Sequence, residues 1–140
     1  MNNYLGMDLD YSVKGGISVI LDRYVADTIE EFPYDITVLV VMPAMDHLFD
    51  VRKMATQLKE TEGSTFHRDT ARLLFLCKIL RLDINLRVTL LTTLVNNPTN
   101  KDWKNLSTVL AYLKGIPDEC LKLSMKDTKL IKCWVDGLYV

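Results

Sequence analysis

Acidic and basic side chains at short intervals are the residues of this chain that bear on chemistry, and four groupings stand out. Asp8 and Asp10 lie two apart, so on a strand they face the same side and could share a divalent cation. Two carboxylates beside a hairpin more simply make a solvated sheet edge. Asp46 and Asp50 would share a helical face if that segment is helical, with His47 alongside, but nothing completes a ligand set, and surface charge is the simpler reading. His67, Ala71 and Phe75 recur at i, i+4 and i+8, flanked by Arg68 and Arg72. A helix face of small, aromatic and basic residues suits a nucleic-acid groove, although packing against a neighbour would explain Ala71 and Phe75 equally well. The fourth is Asp136, the one carboxylate in the β-branched and aromatic run of residues 129–140.

Other chemistries have less to stand on. Cys77, Cys120 and Cys133 are widely spaced, and with His47 and His67 they give no zinc-ligand spacing. Two isolated histidines support no Ser-His-Asp or Cys-His arrangement. Gly15-Gly16 is explained by a turn, and no other Gly-rich stretch offers a phosphate loop. Buried free thiols in a reducing compartment are the expected state of the cysteines.

The chain has 140 residues, 49% of them hydrophobic and 25% charged, which is the composition of a globular domain with a usable core. A net charge of −1 gives no overall field for nucleic acid, so such binding would have to come from local basic clusters. The longest apolar stretch, residues 38–44, is far short of the roughly 20 residues a spanning helix needs. No membrane association is expected. The first twenty residues carry Asp8 and Asp10 and lack a signal-peptide pattern, so a cytoplasmic or nuclear location is expected.

Periodicity supplies the elements that position these groups. Residues 4–21 alternate on both sides of Lys14-Gly15-Gly16, which predicts a β-hairpin. Asp22 is placed to cap a helix reaching Phe32, with Val25, Ile29 and Phe32 on one face and Pro33 beyond its end. Residues 33–64 lose the pattern and read as a long connection, with a short helical turn at residues 45–54. Ser64 or Thr65 would cap a helix over residues 66–80, burying Phe66, Leu73, Leu76, Cys77 and Leu80. Asp83 would cap another over residues 84–95, with Ile84, Val88, Leu91 and Val95 inward. A third, from Thr99 or Asn100, turns Trp103, Leu106, Leu110 and Leu113 inward and stops at Gly115 in a left-handed cap. A strand over residues 121–125 and a polar turn then lead to residues 129–140. A run of that kind is normally followed by a turn and a pairing partner, so it reads as the first strand of a unit that continues.

Taken together, the residues resemble the polymerase region of copia-type long-terminal-repeat retrotransposons. The likeness runs collinearly through Tyr4-Leu5-Gly6-Met7-Asp8-Leu9-Asp10, Tyr24-Val25, Glu30-Glu31-Phe32-Pro33 and Pro43-Ala44-Met45-Asp46-His47-Leu48-Phe49. It continues through Phe66-His67-Arg68, Leu73-Leu74-Phe75-Leu76-Cys77, Asp83-Ile84, Leu91-Thr92-Thr93, Trp103, Tyr112-Leu113-Lys114-Gly115 and Lys132-Cys133-Trp134-Val135-Asp136. In that family the matching segment follows the Tyr-Val-Asp-Asp turn of the reverse transcriptase palm.

The resemblance implies an α+β chain of four parts. A palm-like hairpin and helix would occupy residues 1–33, an irregular linker 34–64, a helical thumb and connection unit of three to four helices 65–116, and the start of a truncated ribonuclease H-like domain 117–140. Tyr4, Leu5, Gly6 and Met7 would form the hairpin that holds the primer end. His67, Arg68, Ala71, Arg72 and Phe75 would lie on the thumb helix that tracks the duplex minor groove. Asp136 would be the first of four ribonuclease H carboxylates. The parent activity is RNA-directed DNA synthesis with Mg2+ on an RNA/DNA primer-template. Both parent reactions need several convergent carboxylates around two metal ions. The expectation for this chain is a catalytically incomplete fragment with no cofactor and no complete metal site of its own. Departures from the family pattern, such as Leu80-Arg81-Leu82-Asp83-Ile84 where Thr-Arg-Pro-Asp-Ile is usual and the apolar residues 36–41 where a polar linker is usual, suit a decayed or reused copy. The alternative is a small helical protein-interaction module derived from a retroelement, using exposed strands to recruit a partner.

Overall fold

Glycine positions set the turns of the sheet. In the computed structural model, which describes residues 2–12, 14–36, 40, 55–117 and 119–124, Gly6 and Gly15 have φ of 80° and 78°, in the region that favours glycine. Strand β1 (Asn2–Tyr4) turns through Leu5-Gly6 into β2 (Met7–Asp10), which pairs antiparallel with β3 (Gly16–Ile20). The expected hairpin around Gly15 is therefore present, and a second, tighter one precedes it. The fourth strand, β4 (Leu121–Ser124), pairs antiparallel with β3, giving the order β1-β2-β3-β4. The short strand expected over residues 121–125 is thus hydrogen-bonded to the N-terminal hairpin, and residues 129–140, expected to open a further unit, lie outside the described residues.

Register gives the sheet two chemically different faces. Leu9, Val19 and Leu121 are cross-strand partners, and Met7 shares their side. Val19 is buried, and the other three pack on the helical core. The opposite face carries Asn3, Asp8, Asp10, Ser18 and Lys122.

The described residues form four α-helices, α1 (Asp22–Glu30), α2 (Glu60–Ile79), α3 (Asn85–Thr92) and α4 (Asn100–Gly115), whose buried side chains make up most of the core that the apolar face joins. The class is α+β. Every residue expected inward on α2 is buried, namely Phe66, Leu73, Leu76, Cys77 and Leu80, and they join Ile84, Val88, Leu91, Leu106, Leu110 and Leu113 in one cluster. Trp103 is partly buried, stacked on Phe32 with ring centroids 5.2 Å apart.

Helix ends differ from expectation where side chains found other partners. Helix α2 begins at Glu60, and Ser64 Oγ and Thr65 Oγ1 donate back to the Glu60 and Thr61 carbonyls instead of capping. The backbone N–H of Lys59 donates to Glu62 Oε2 at 3.2 Å, which is one half of a capping box. Asp22 is the first helical residue of α1 rather than its cap, where its charge still complements the helix dipole. Helix α4 begins where expected, with Thr99 as the residue before its first turn and the Thr99 hydroxyl donating to Asp102 Oδ2 at 2.8 Å. Gly115 is the last residue of α4, and the positive φ among the described glycines belongs to Gly6 and Gly15, so the chain leaves through Ile116 at φ −134° and not through a left-handed cap. Of the apolar residues 36–41, Ile36 and Val40 are described, and both pack on the core. The turn expected at residues 45–54, and the carboxylate pair Asp46 and Asp50 with His47, lie outside the described residues.

Asp83 was expected to cap a helix, and instead it belongs to a 3-10 turn, Leu82–Ile84, ahead of α3. Its carboxylate accepts from Arg81 Nη2 at 2.8 Å, Arg81 Nε at 3.0 Å and Tyr112 Oη at 2.8 Å. Arg81 Nη1 donates to the Ile116 carbonyl at 3.0 Å, and its guanidinium lies over the Tyr112 ring. Burial pulls the Asp83 carboxyl upward, but the bonds from Arg81 and Tyr112 outweigh it and hold the group below its ordinary range. A depressed carboxyl stabilises the fold fully at neutral pH, and that contribution is lost as pH falls through and below the ordinary carboxylate range. Asp83→Asn should cost about 2 kcal/mol in urea unfolding at pH 7, less than a fully buried pair because the Asp83 side chain is 37% exposed. Tyr112→Phe should cost about 1 kcal/mol. The difference between wild type and D83N should shrink in acid, and a constant difference would exclude Asp83 ionisation as its source.

Candidate nucleic-acid interface

The helix that carries His67, Ala71 and Phe75 has one face fixed by the core and therefore one face left open. Burial of Phe66, Asp69, Thr70, Leu73, Leu76 and Cys77 sets the rotation of α2. His67, Ala71 and Phe75 then fall on the solvent side, and all are exposed. Over twenty residues the helix is about 30 Å long. Phe75 keeps a tilted contact with Tyr24 of α1 at 5.2 Å, and the Tyr24 hydroxyl donates to the Arg72 carbonyl at 3.4 Å. Lys78 extends the same face toward the C-terminal end, with Nζ donating to Asn85 Oδ1. Helical spacing from Phe75 to Lys78 was the signal that could have added it.

The two arginines beside this face are engaged. Arg68 Nε donates to Asp69 Oδ1 at 2.8 Å, and that hydrogen bond holds the guanidinium more firmly protonated. Asp69 is fully buried and its Oδ2 has no hydrogen-bond partner among the described residues, so Arg68 compensates a carboxylate that water cannot reach. Arg72 Nη2 lies 2.8 Å from Glu31 Oε2. Acidic substitutions at Arg68 would therefore disturb the fold along with any ligand surface. The buried aspartate gave no sequence signal, because its spacing is that of an ordinary polar residue beside Arg68.

A cleft of about 310 Å³ opens at the head of α2, lined by Gly63, Ser64 and His67 on the helix and by Asn96, Asn97 and Pro98 of the loop between α3 and α4. His67 belongs to both the cleft and the open face. In the sequence, Asn96-Asn97-Pro98 reads only as a helix stop, so its meeting with His67 was not legible.

The hairpin residues form a separate feature. Tyr4 pairs with Met7, and between them Leu5 has φ 52° and Gly6 φ 80°, the signature of a two-residue type I′ turn. Asparagine is the usual residue at the first of these positions, and a leucine there is strained. Leu5 is also 74% exposed, so a large apolar side chain is held out at a strained tip. Tyr4 and Gly6 are exposed, and Met7 packs on the core. Among the described residues no hydrogen bond or ion pair joins Tyr4, Leu5, Gly6 or Met7 to the α2 face.

The remaining acidic candidates are locally occupied. Asp8 and Asp10 share a face as their spacing predicts, but Asp8 accepts from Asn3 Nδ2 and Asp10 accepts from the Ser12 backbone N–H and hydroxyl, which lower its pKa. Among the described residues, no group of three or more His, Cys, Asp or Glu is placed to hold a metal ion. Asp136 lies outside the described residues. Cys77 is buried, with its thiol directed to the Leu74 carbonyl, and Cys77 and Cys120 are both free thiols. No helix among the described residues is long and apolar enough to cross a membrane. Searches against protein-family models, curated proteins and solved structures return no match.

Leu5→Asn relieves the turn, and thermal unfolding should report a gain of about 1 kcal/mol. A loss of stability would mean that the Leu5 side chain makes a contact worth more than the strain.

Proposed function

We propose that this chain is a nucleic-acid-binding unit of copia-type reverse transcriptase descent, which engages an RNA/DNA primer-template duplex and does not catalyse nucleotide transfer or RNA hydrolysis alone. The observation that carries the reading is the open face of α2, where His67, Ala71 and Phe75 lie in line and exposed beside the polar cleft at the helix head. The collinear resemblance supplies the kind of ligand. In this reading α2 lies along the duplex and the Tyr4-Leu5-Gly6-Met7 turn touches the primer end. Catalysis in the parent family rests on convergent carboxylates around two metal ions, and Asp136 is the one position here that matches such a ligand. Salt-sensitive binding, with dissociation constants of about 10⁻⁴–10⁻⁶ M near physiological salt, is the scale expected for backbone-dominated contacts.

Fluorescence anisotropy of a labelled RNA–DNA hybrid tests this. Ala71→Glu puts a carboxylate at the centre of the open face without touching the core. It should weaken binding at least tenfold at low salt while leaving the melting temperature within a few degrees. Equal binding by wild type and A71E, or no binding by wild type at low salt, would remove the reading.

One observation favours a second role, recruitment of a protein partner. By register, Tyr4 and Leu123 lie on the apolar face of the sheet, and they are 60% and 51% exposed. They sit on β1 and β4, the two edge strands of the sheet among the described residues, and edge strands offer unpaired backbone groups. Sedimentation across a concentration series should then show reversible association that Leu123→Lys abolishes. A monomer at every concentration would count against association with a second copy.

A further inference from the structure

The charges around Arg72 balance within the chain. Arg68 and Arg72 face Asp69 and Glu31, so the cluster most suited to phosphate carries no net charge. The two carboxylates differ in one respect that decides what each can do. Asp69 is fully buried on α2 itself, whereas the Glu31 side chain is 47% exposed and comes from the end of α1. Its backbone is held in place by the Glu31 N–H bond to the Asp27 carbonyl and by the neighbouring Phe32 ring, buried and stacked on Trp103. The Glu31 carbonyl also accepts from Arg68 Nη2 at 3.4 Å. A carboxylate and a phosphate both suit a guanidinium as acceptors, and a partly exposed pair of this kind, with Arg72 27% and Glu31 47% exposed, is weak enough to exchange.

We propose that Glu31 is a built-in competitor for nucleic-acid phosphate, occupying the Arg72 guanidinium and moderating the affinity of the α2 face. This rests on the nucleic-acid reading above. When a duplex lies along α2, a backbone phosphate replaces the Glu31 carboxylate on Arg72 Nη2, and the side chain swings into water. Asp69 stays in place, because releasing it would leave a buried carboxylate without its cation. Glu31 thereby sets how much of the basic character of α2 is available to a ligand.

Binding of the RNA–DNA hybrid by full-length wild type, Glu31→Gln and Glu30→Gln separates this from a simple change of net charge. Glu30 is exposed and adjacent, and its substitution removes the same charge without touching Arg72. E31Q should bind about three- to tenfold more tightly at low salt, with the slope of log K against log salt steeper by about 0.9, one additional phosphate contact. E30Q should change affinity less than twofold. Glu31→Asp, which keeps the charge but withdraws it by one methylene, should fall between wild type and E31Q, and thermal melts establish that each variant is folded. E31Q indistinguishable from E30Q, while wild type binds, would overturn the competitor role and leave the nucleic-acid reading standing. No binding by any folded variant would overturn both.

Discussion

The helical unit is closed by one buried cation. Arg81, 3% exposed, stands where α2 ends, and its Nε and Nη2 donate to the Asp83 carboxylate on one side while Nη1 donates to the Ile116 carbonyl on the other. Tyr112 completes the set by donating to the same carboxylate from α4. Two segments distant in sequence are thereby joined at one end of the bundle: the connection from α2 to α3, which carries Arg81 and Asp83, and the end of α4, which supplies Tyr112 and leads to Ile116. Hydrophobic burial supplies the driving force for packing these helices. A cation at this point adds direction, because leaving it without Asp83 would be far more costly than losing a surface contact.

That closure bears on the open face of α2. A helix can keep His67, Ala71 and Phe75 in water only if its opposite side is held firmly, and Phe66, Leu73, Leu76 and Cys77 do this against α3 and α4. The arginines show the other half of the balance. Arg68 belongs as much to the buried Asp69 as to the surface, and Arg72 is shared with Glu31. The surface is consequently less basic than its sequence suggests. The strained Leu5 and its exposed side chain are a further place where local preference is overruled, and such places concentrate where a surface is used.

What could be read from the sequence follows from locality. Apolar spacing found the inward residues of α2 and α4 because burial of a helix face repeats every three or four positions. The beginning of α2 escaped because residues 60–65 project beyond the core and are polar, which resembles a loop. Asp83 looked like a cap because its type and place fit one, and only the approach of Arg81 and Tyr112 redirected it. Pairing of β4 with β3 joins residues a hundred positions apart, and no local pattern encodes it. For the candidate interface, the line of His67, Ala71 and Phe75 was legible. Its neutralising partners, Asp69 and Glu31, were not, since one depends on depth of burial and the other on how α1 meets α2.

The most direct test of the α2 face as a nucleic-acid surface is amide chemical-shift mapping of the labelled chain during titration with an RNA–DNA hybrid duplex. Perturbations should concentrate at residues 63–78 along α2, at Asn96 and Asn97 beside the cleft, and at residues 4–7 of the hairpin tip. Shifts confined to β4, or none at a duplex concentration well above 10⁻⁴ M, roughly the weak end of non-specific affinity, would contradict it.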